Sequence, residues 1–207
     1  YLLTHEGNIH RLASDYRSAT SKVISNFAPG SESPTVFKVG STYFWLGSGK
    51  TAWERNDNVY YTASSLSGPW TNRGKFAPSG TLTWNSQTTF VLPVKGSSGT
   101  TYVFMGDRWA YPLNARATYV WQPLTVSGTS MSMSTYQEAW KVNTSAGTWS
   151  TVSTSGTVVD DTVYGTQNNQ FNYSGSWTHT SGAGHDGTES RSRAAGNTVS
   201  MRFTGTQ

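Results

Sequence analysis

The strongest constraint on this chain is a strand pattern that recurs along it: Tyr43 and Tyr102, and Tyr60 and Tyr119, stand 59 residues apart in matching runs. Val36-Phe37-Lys38-Val39 reads as a strand. Gly40-Ser41 turns it into Thr42 to Leu46, Asn58 to Ala63 follows, and Ser67-Gly68-Pro69 leads to a short strand at Trp70. The same order returns in Thr89 to Val94, Thr101 to Met105, Thr118 to Trp121 and a strand near Met131. Repeats of this length built from four antiparallel strands are the blades of a β-propeller. Tyr1 to Thr4 and Ile9 to Leu12 read as the last strands of an earlier blade, closed by a turn over Leu12 to Tyr16. About two and a half blades do not close a ring. The expectation is a chain cut at both ends, its missing blades supplied by an absent N-terminal segment or by another chain.

Composition supports an all-β reading. Charged residues are scarce at 13%, aromatics reach 14%, and Gly, Ser and Thr fill the spaces between apolar runs. That mix suits short strands and many turns. The best helical signal is a short turn near Gln137 to Trp140. From Ser145 to Thr157 the chain is mostly Ser, Thr and Gly, a flexible linker or domain edge. A new texture begins at Val158, and Gly184 to Gly187 reads as a turn. The expected organisation is propeller blades over 1–149, a linker over 150–157, and the first part of a β-sandwich over 158–207.

Several function classes have little support. Cysteine is absent, and His5, His10, His179 and His185 are dispersed, so neither a metalloenzyme nor a Ser-His-Asp site is indicated. The net charge of +4 is spread without a basic cluster, which argues against nucleic acid. No apolar run approaches the roughly 18 residues of a membrane-spanning helix. Asn143-Thr144-Ser145 and Asn172-Tyr173-Ser174 are N-glycosylation sequons and fit a secreted, extracellular protein.

Carboxylates and amides remain as chemistry. Glu32, in Gly30-Ser31-Glu32-Ser33-Pro34, sits just before the predicted strand, with Pro34 stiffening the backbone. A carboxylic acid fixed at the start of an innermost strand can protonate a glycosidic oxygen if its pKa is raised; position alone favours a solvated loop residue. Gln87 by itself reads as a polar residue capping an inner strand. Thr51, Trp53, Trp84 and Arg108 fall on expected loops and offer a hydroxyl, two stacking faces and a cationic donor. Each could instead brace a blade, Asp107-Arg108 as an internal ion pair.

The run Glu32-Ser33-Pro34-Thr35-Val36-Phe37-Lys38 with Gly40-Ser41-Thr42-Tyr43-Phe44 resembles the motif that carries the general acid in glycoside hydrolase family 43. Three further stretches resemble that family's exo-β-1,3-galactanase branch: Ser48 to Trp53, Asn85-Ser86-Gln87-Thr88-Thr89 and Gly106-Asp107-Arg108-Trp109. The resemblance implies a five-bladed propeller with Glu32 as general acid. In this branch a Gln stands in for the usual Asp base, and Gln87 falls at its place. It also implies an inverting exo-β-1,3-galactanase acting on β-1,3-galactan, including arabinogalactan backbones, to release galactose, with no cofactor for catalysis. Tyr173 to Trp177, Gly187 to Ser190, Ala195-Gly196 and Phe203 to Thr206 resemble the start of a family 35-type carbohydrate-binding module, a type that commonly holds Ca²⁺. The rival readings are a non-catalytic, lectin-like propeller and an inactive fragment.

Overall fold

The computed structural model describes residues 1–109, 117–153, 158–181 and 187–204. Their regular structure is nearly all strand, as composition suggested. The chain divides into one unit over Tyr1–Ser153 and a second over Thr154–Gln207.

Three antiparallel sheets make up most of the first unit. Sheet A contains β1 (Leu2–Thr4), β2 (Asn8–Leu12) and β3 (Ala19–Ile24), with a 3₁₀ turn at His5–Gly7. Sheet B runs β4 (Ser31–Val39), β5 (Thr42–Gly49), β6 (Val59–Ala63) and β7 (Thr71–Lys75) in chain order. Sheet C does the same with β8 (Gln87–Lys95), β9 (Thr100–Arg108), β10 (Thr118–Ser127) and β11 (Ser130–Ser132). The β4–β5 turn is two residues long, and Gly40 holds φ +56 at its first position. A two-residue hairpin of this kind matches the twist of its strands and favours glycine there.

Sheet B is buried on both faces, so β5 reads Phe44-Trp45-Leu46 without alternation, all three fully buried. One face meets sheet C through Phe37, Phe44, Leu46, Tyr60 and Phe76 against Val91, Phe104, Val120 and Leu124, floored by Met131 and Met133. Phe37 stacks on Phe44 at 5.0 Å, and Phe76 lies 5.5 Å from Phe104. On the other face Phe27, from the segment joining sheets A and B, sets its ring against Trp45 at 5.4 Å and stacks on Trp70 at 4.8 Å. Each large side chain so buried contributes about 1.5–3 kcal/mol.

The 59-residue repeat marks equivalent strands but not equivalent faces. Tyr60 points into the core at 6% exposure and Tyr119 out of it at 70%. In a strand a one-residue offset exchanges the faces, and in β10 the buried position is Val120.

Several other expectations need correction. The turn after Leu12 does not end its sheet; Ala19–Ile24 adds the third strand β3. The segment near Gln137 is not helical, and Trp140 opens β12 (Trp140–Asn143). The Ser/Thr/Gly run is not wholly a linker, because Thr148–Thr151 forms β13, paired with β12. The turn joining them docks on the β8–β9 turn, where the amides of Ser97 and Ser98 donate to Ser145 and Ala146 carbonyls at 2.9 Å. The small residues serve this approach, since a Cβ on Gly96 would lie 2.1 Å from the Gly147 nitrogen. Residues 154–157 of the expected linker, and most of the Gly184 to Gly187 turn, lie outside the described residues.

In the second unit β14 (Phe171–Ser174) pairs with β17 (Thr198–Met201), and between them in sequence β15 (Thr178–Ser181) pairs with β16 (Thr188–Arg191). Tyr173 gathers the aromatic side chains, with Trp177 at 4.9 Å and His179 at 4.8 Å.

The face of sheet C turned away from sheet B carries Phe90, Leu92, Tyr119 and Trp121, which are 42–70% exposed. A contiguous apolar face of this kind drives association. The 207-residue chain alone should therefore self-associate in sizing chromatography, and Phe90→Lys with Trp121→Lys should shift it toward monomer. A monodisperse wild-type monomer at micromolar concentration would refute this.

Candidate active site

Glu32 lies within β4, not before it. The pairing Glu32↔Ser48 is followed by Thr35↔Leu46, so the register slips at Ser33 and Pro34. Ser33 takes φ +50. The irregularity accommodates a proline, which cannot donate to the ladder, and it re-aims the side chain beside it. The Ser33 hydroxyl donates to the Thr88 carbonyl at 2.6 Å, which joins the starts of β4 and β8.

Gln87 is the first residue of β8, and the segment delivering it is unusual. Leu82, Thr83, Trp84 and Asn85 form one turn of left-handed helix, with φ between +54 and +57. This conformation costs a non-glycine residue about 1–2 kcal/mol, so the surroundings must hold it. The Asp57 carboxylate accepts from the amides of Leu82 and Gly80 at 2.8 Å and from Lys75 at 2.7 Å. Asn58, 1% exposed, donates its amide N–H to the Thr83 hydroxyl at 2.7 Å and accepts the Thr88 N–H at 2.8 Å. Arg108 donates to the Trp84 carbonyl at 2.9 Å. Burial pushes the Asp57 carboxyl up, but the Lys75 ammonium and the two amide donors outweigh it and hold the group below its ordinary value. Glu6, in the 3₁₀ turn, is likewise lowered, by Lys50 and the Gly30 amide.

The result is a cavity of about 410 Å³ lined by His5, Glu32, Ser33, Ala52, Trp53, Gln87 and Trp109. All three sheets or their connections contribute. The Gln87 amide nitrogen donates to Glu32 Oε1 at 3.1 Å and to Ser48 Oγ at 2.9 Å, and its oxygen accepts from Trp109 Nε1 at 3.0 Å. Trp53, half exposed, meets Trp109 edge-on at 5.5 Å. Arg55 holds the Trp109 carbonyl at 2.8 Å.

Of the residues singled out from sequence, Glu32, Gln87 and Trp53 share this cavity. Thr51, Trp84 and Arg108 do not line it. Thr51 closes its own loop, donating to the Glu54 carbonyl at 2.6 Å. Trp84 packs against the core beside Tyr136, and its indole donates to the Met133 carbonyl at 3.3 Å. Arg108 ends β9 and braces the left-handed turn; as its strand neighbour, Asp107 projects to the opposite face, which rules out the ion pair between them. His5 and Trp109 were missed as site residues. Trp109 belongs to a run already noted, whereas a single His in a turn carries no sequence signal. Among the described residues no cluster of three or more His, Asp or Glu could hold a metal ion. Asp160 and Asp161 stand together in the second unit, where the Thr188 hydroxyl bonds to both carboxylates and the Ser190 hydroxyl donates to Asp161.

No family model and no curated protein matches the sequence. Solved structures do. An exo-β-1,3-galactanase from Phanerochaete chrysosporium, crystallised with galactose and with β-1,3-galactotriose, is 34% identical over 93% of this chain and 42% of its own, with TM-scores of 0.63 and 0.62. That match runs beyond the first unit into the second. An exo-β-1,3-galactanase from Clostridium thermocellum is 31% identical over 70% of this chain and 32% of its own, at a TM-score of 0.63. A family 43 β-1,3-galactosidase is 33% identical over 62% of this chain and 28% of its own, at 0.56. The chain spans less than half the length of each. These likenesses support a glycoside hydrolase of this kind.

The carboxylate anchoring the left-handed turn gives a pH-dependent prediction. A depressed carboxyl value means that the stability it contributes is present above about pH 4, the unfolded value, and is lost as pH falls through the folded one. Asp57→Asn should lower the unfolding free energy by about 1–2 kcal/mol at pH 7. Denaturant titrations should show the gap from wild type closing below pH 4. A gap unchanged at pH 3 would show that the charge contributes none of it.

Proposed function

We infer that this chain is a stretch of a family 43 glycoside hydrolase of propeller architecture, and we propose that the protein is an inverting exo-β-1,3-galactanase. The observation that carries the reading is that β4 and β8 bring Glu32 and Gln87 onto one cavity. The likeness to enzymes crystallised with galactose and β-1,3-galactotriose supplies the substrate class.

In this reading Glu32 donates a proton to the glycosidic oxygen as the bond to the leaving sugar breaks. Water attacks the anomeric carbon from the opposite face, held by Gln87. Trp53 offers its exposed ring to the apolar C–H face of galactose at the cavity rim. An inverting pair normally stands about 6.5–9.5 Å apart, leaving room for sugar and water. Glu32 and Gln87 are hydrogen-bonded at 3.1 Å, so that bond must open as the sugar arrives. Gln87 is held at both ends of its amide, so Glu32 is the side chain that moves. The second unit is read as part of a sugar-binding module, and the protein as secreted.

Loss of a general acid costs about 10²–10⁴-fold in rate. Glu32→Gln in the complete enzyme should therefore release galactose from β-1,3-galactan at under a hundredth of the wild-type rate while still retaining the polymer. A variant keeping more than about a tenth of the rate would remove Glu32 from this role. A wild-type protein that binds the polymer without releasing galactose would instead make it a lectin.

A further inference from the structure

We propose that Trp109 is a positioning residue, selecting which way round the Gln87 carboxamide faces the reaction. The inference rests on the role given to Gln87 above.

An amide side chain can be turned end for end with almost no change in shape, so its surroundings must choose. An indole N–H can only donate. Trp109 Nε1 lies 3.0 Å from one end of the Gln87 amide, and Glu32 Oε1 lies 3.1 Å from the other. Turned over, the amide would set N–H against N–H at Trp109. Only one orientation is therefore allowed, with the amide oxygen toward Trp109. The Ser48 hydroxyl, buried at 1% exposure, takes the second hydrogen of the amide nitrogen.

This orientation leaves the amide oxygen one lone pair beyond the Trp109 bond, and that lone pair can accept a hydrogen from the attacking water. When the bond to Glu32 opens, the bonds to Ser48 and Trp109 still hold the amide the same way round. Trp109 itself is fixed by Arg55 on its carbonyl at 2.8 Å and by the edge of Trp53.

Trp109→Phe keeps a ring against Trp53 and removes only the N–H. In the complete enzyme it should lower kcat about 10- to 100-fold, with KM within about twofold of wild type and little change in melting temperature. Ser48→Ala, a one-atom deletion at the other end of the amide, provides a second variant should the Phe form fold poorly, and should act in the same direction. Combining either change with Gln87→Ala should cost no more than Gln87→Ala alone, because the amide being positioned is gone. A normal kcat in Trp109→Phe and Ser48→Ala while Gln87→Ala is crippled would overturn this inference and leave the role of Gln87 standing. Losses that multiply in the double variants would also overturn it. A fully active Gln87→Ala enzyme would remove both.

Discussion

The buried Asn58 joins sheets B and C at the edge of their apolar interface. Its backbone N–H reaches the Thr83 hydroxyl, its side-chain oxygen takes the Thr88 amide, and its side-chain nitrogen donates to the Asn56 carbonyl at 2.9 Å. Every one of these groups is buried or part-buried, so each would be costly to leave unmatched. Together they hold a left-handed turn of four non-glycine residues, a conformation that does not persist on its own. Because that turn leads through Ser86 into Gln87, the position of the candidate catalytic amide depends on this asparagine together with Asp57 and Arg108.

Hydrophobic packing sets the wider frame. Sheet B, covered on both faces, is the most constrained part of the chain, and Trp45 and Phe44 anchor its two sides. Burying Phe37 and Phe44 against Phe104 and Val91 brings β4 alongside β8. The starts of these strands then lie close enough for Ser33 to reach the Thr88 carbonyl and for Glu32 to reach Gln87. Apolar contact supplies the approach without direction, and the polar bonds at the strand ends fix the register.

Strands were legible wherever residues alternate or where an apolar run is bounded by glycine turns, as in β4 to β6 and β8 to β10. Strands lacking those signals were missed. Ala19–Ile24 opens on small and polar residues and has only Val23-Ile24 as an apolar run, and Thr148–Thr151 lies in a Ser/Thr/Gly run whose composition suits a linker equally well. The left-handed turn was invisible for a related reason. Its usual sequence signature is glycine or asparagine, and only the last of its four residues, Asn85, carries it. That single unread turn explains why Trp84 looked like a stacking platform: its backbone conformation points the indole into the core.

By itself the sequence determined an all-β chain with a four-stranded repeat, and it singled out a carboxylic acid and an amide, Glu32 and Gln87, from the runs around them. Those are local properties, carried by alternation, turn residues and short motifs that do not depend on what lies across the molecule. Only the tertiary structure decided which candidates share a cavity, because that depends on which face each strand turns toward its neighbour and on contacts between residues far apart in the chain. It placed His5 and Trp109 beside Glu32, sent Trp84 and Arg108 into supporting positions, and gave the Gln87 amide a single orientation. The physical reason is that a hydrogen bond has direction and partner, and both are created only when separate strands are packed together.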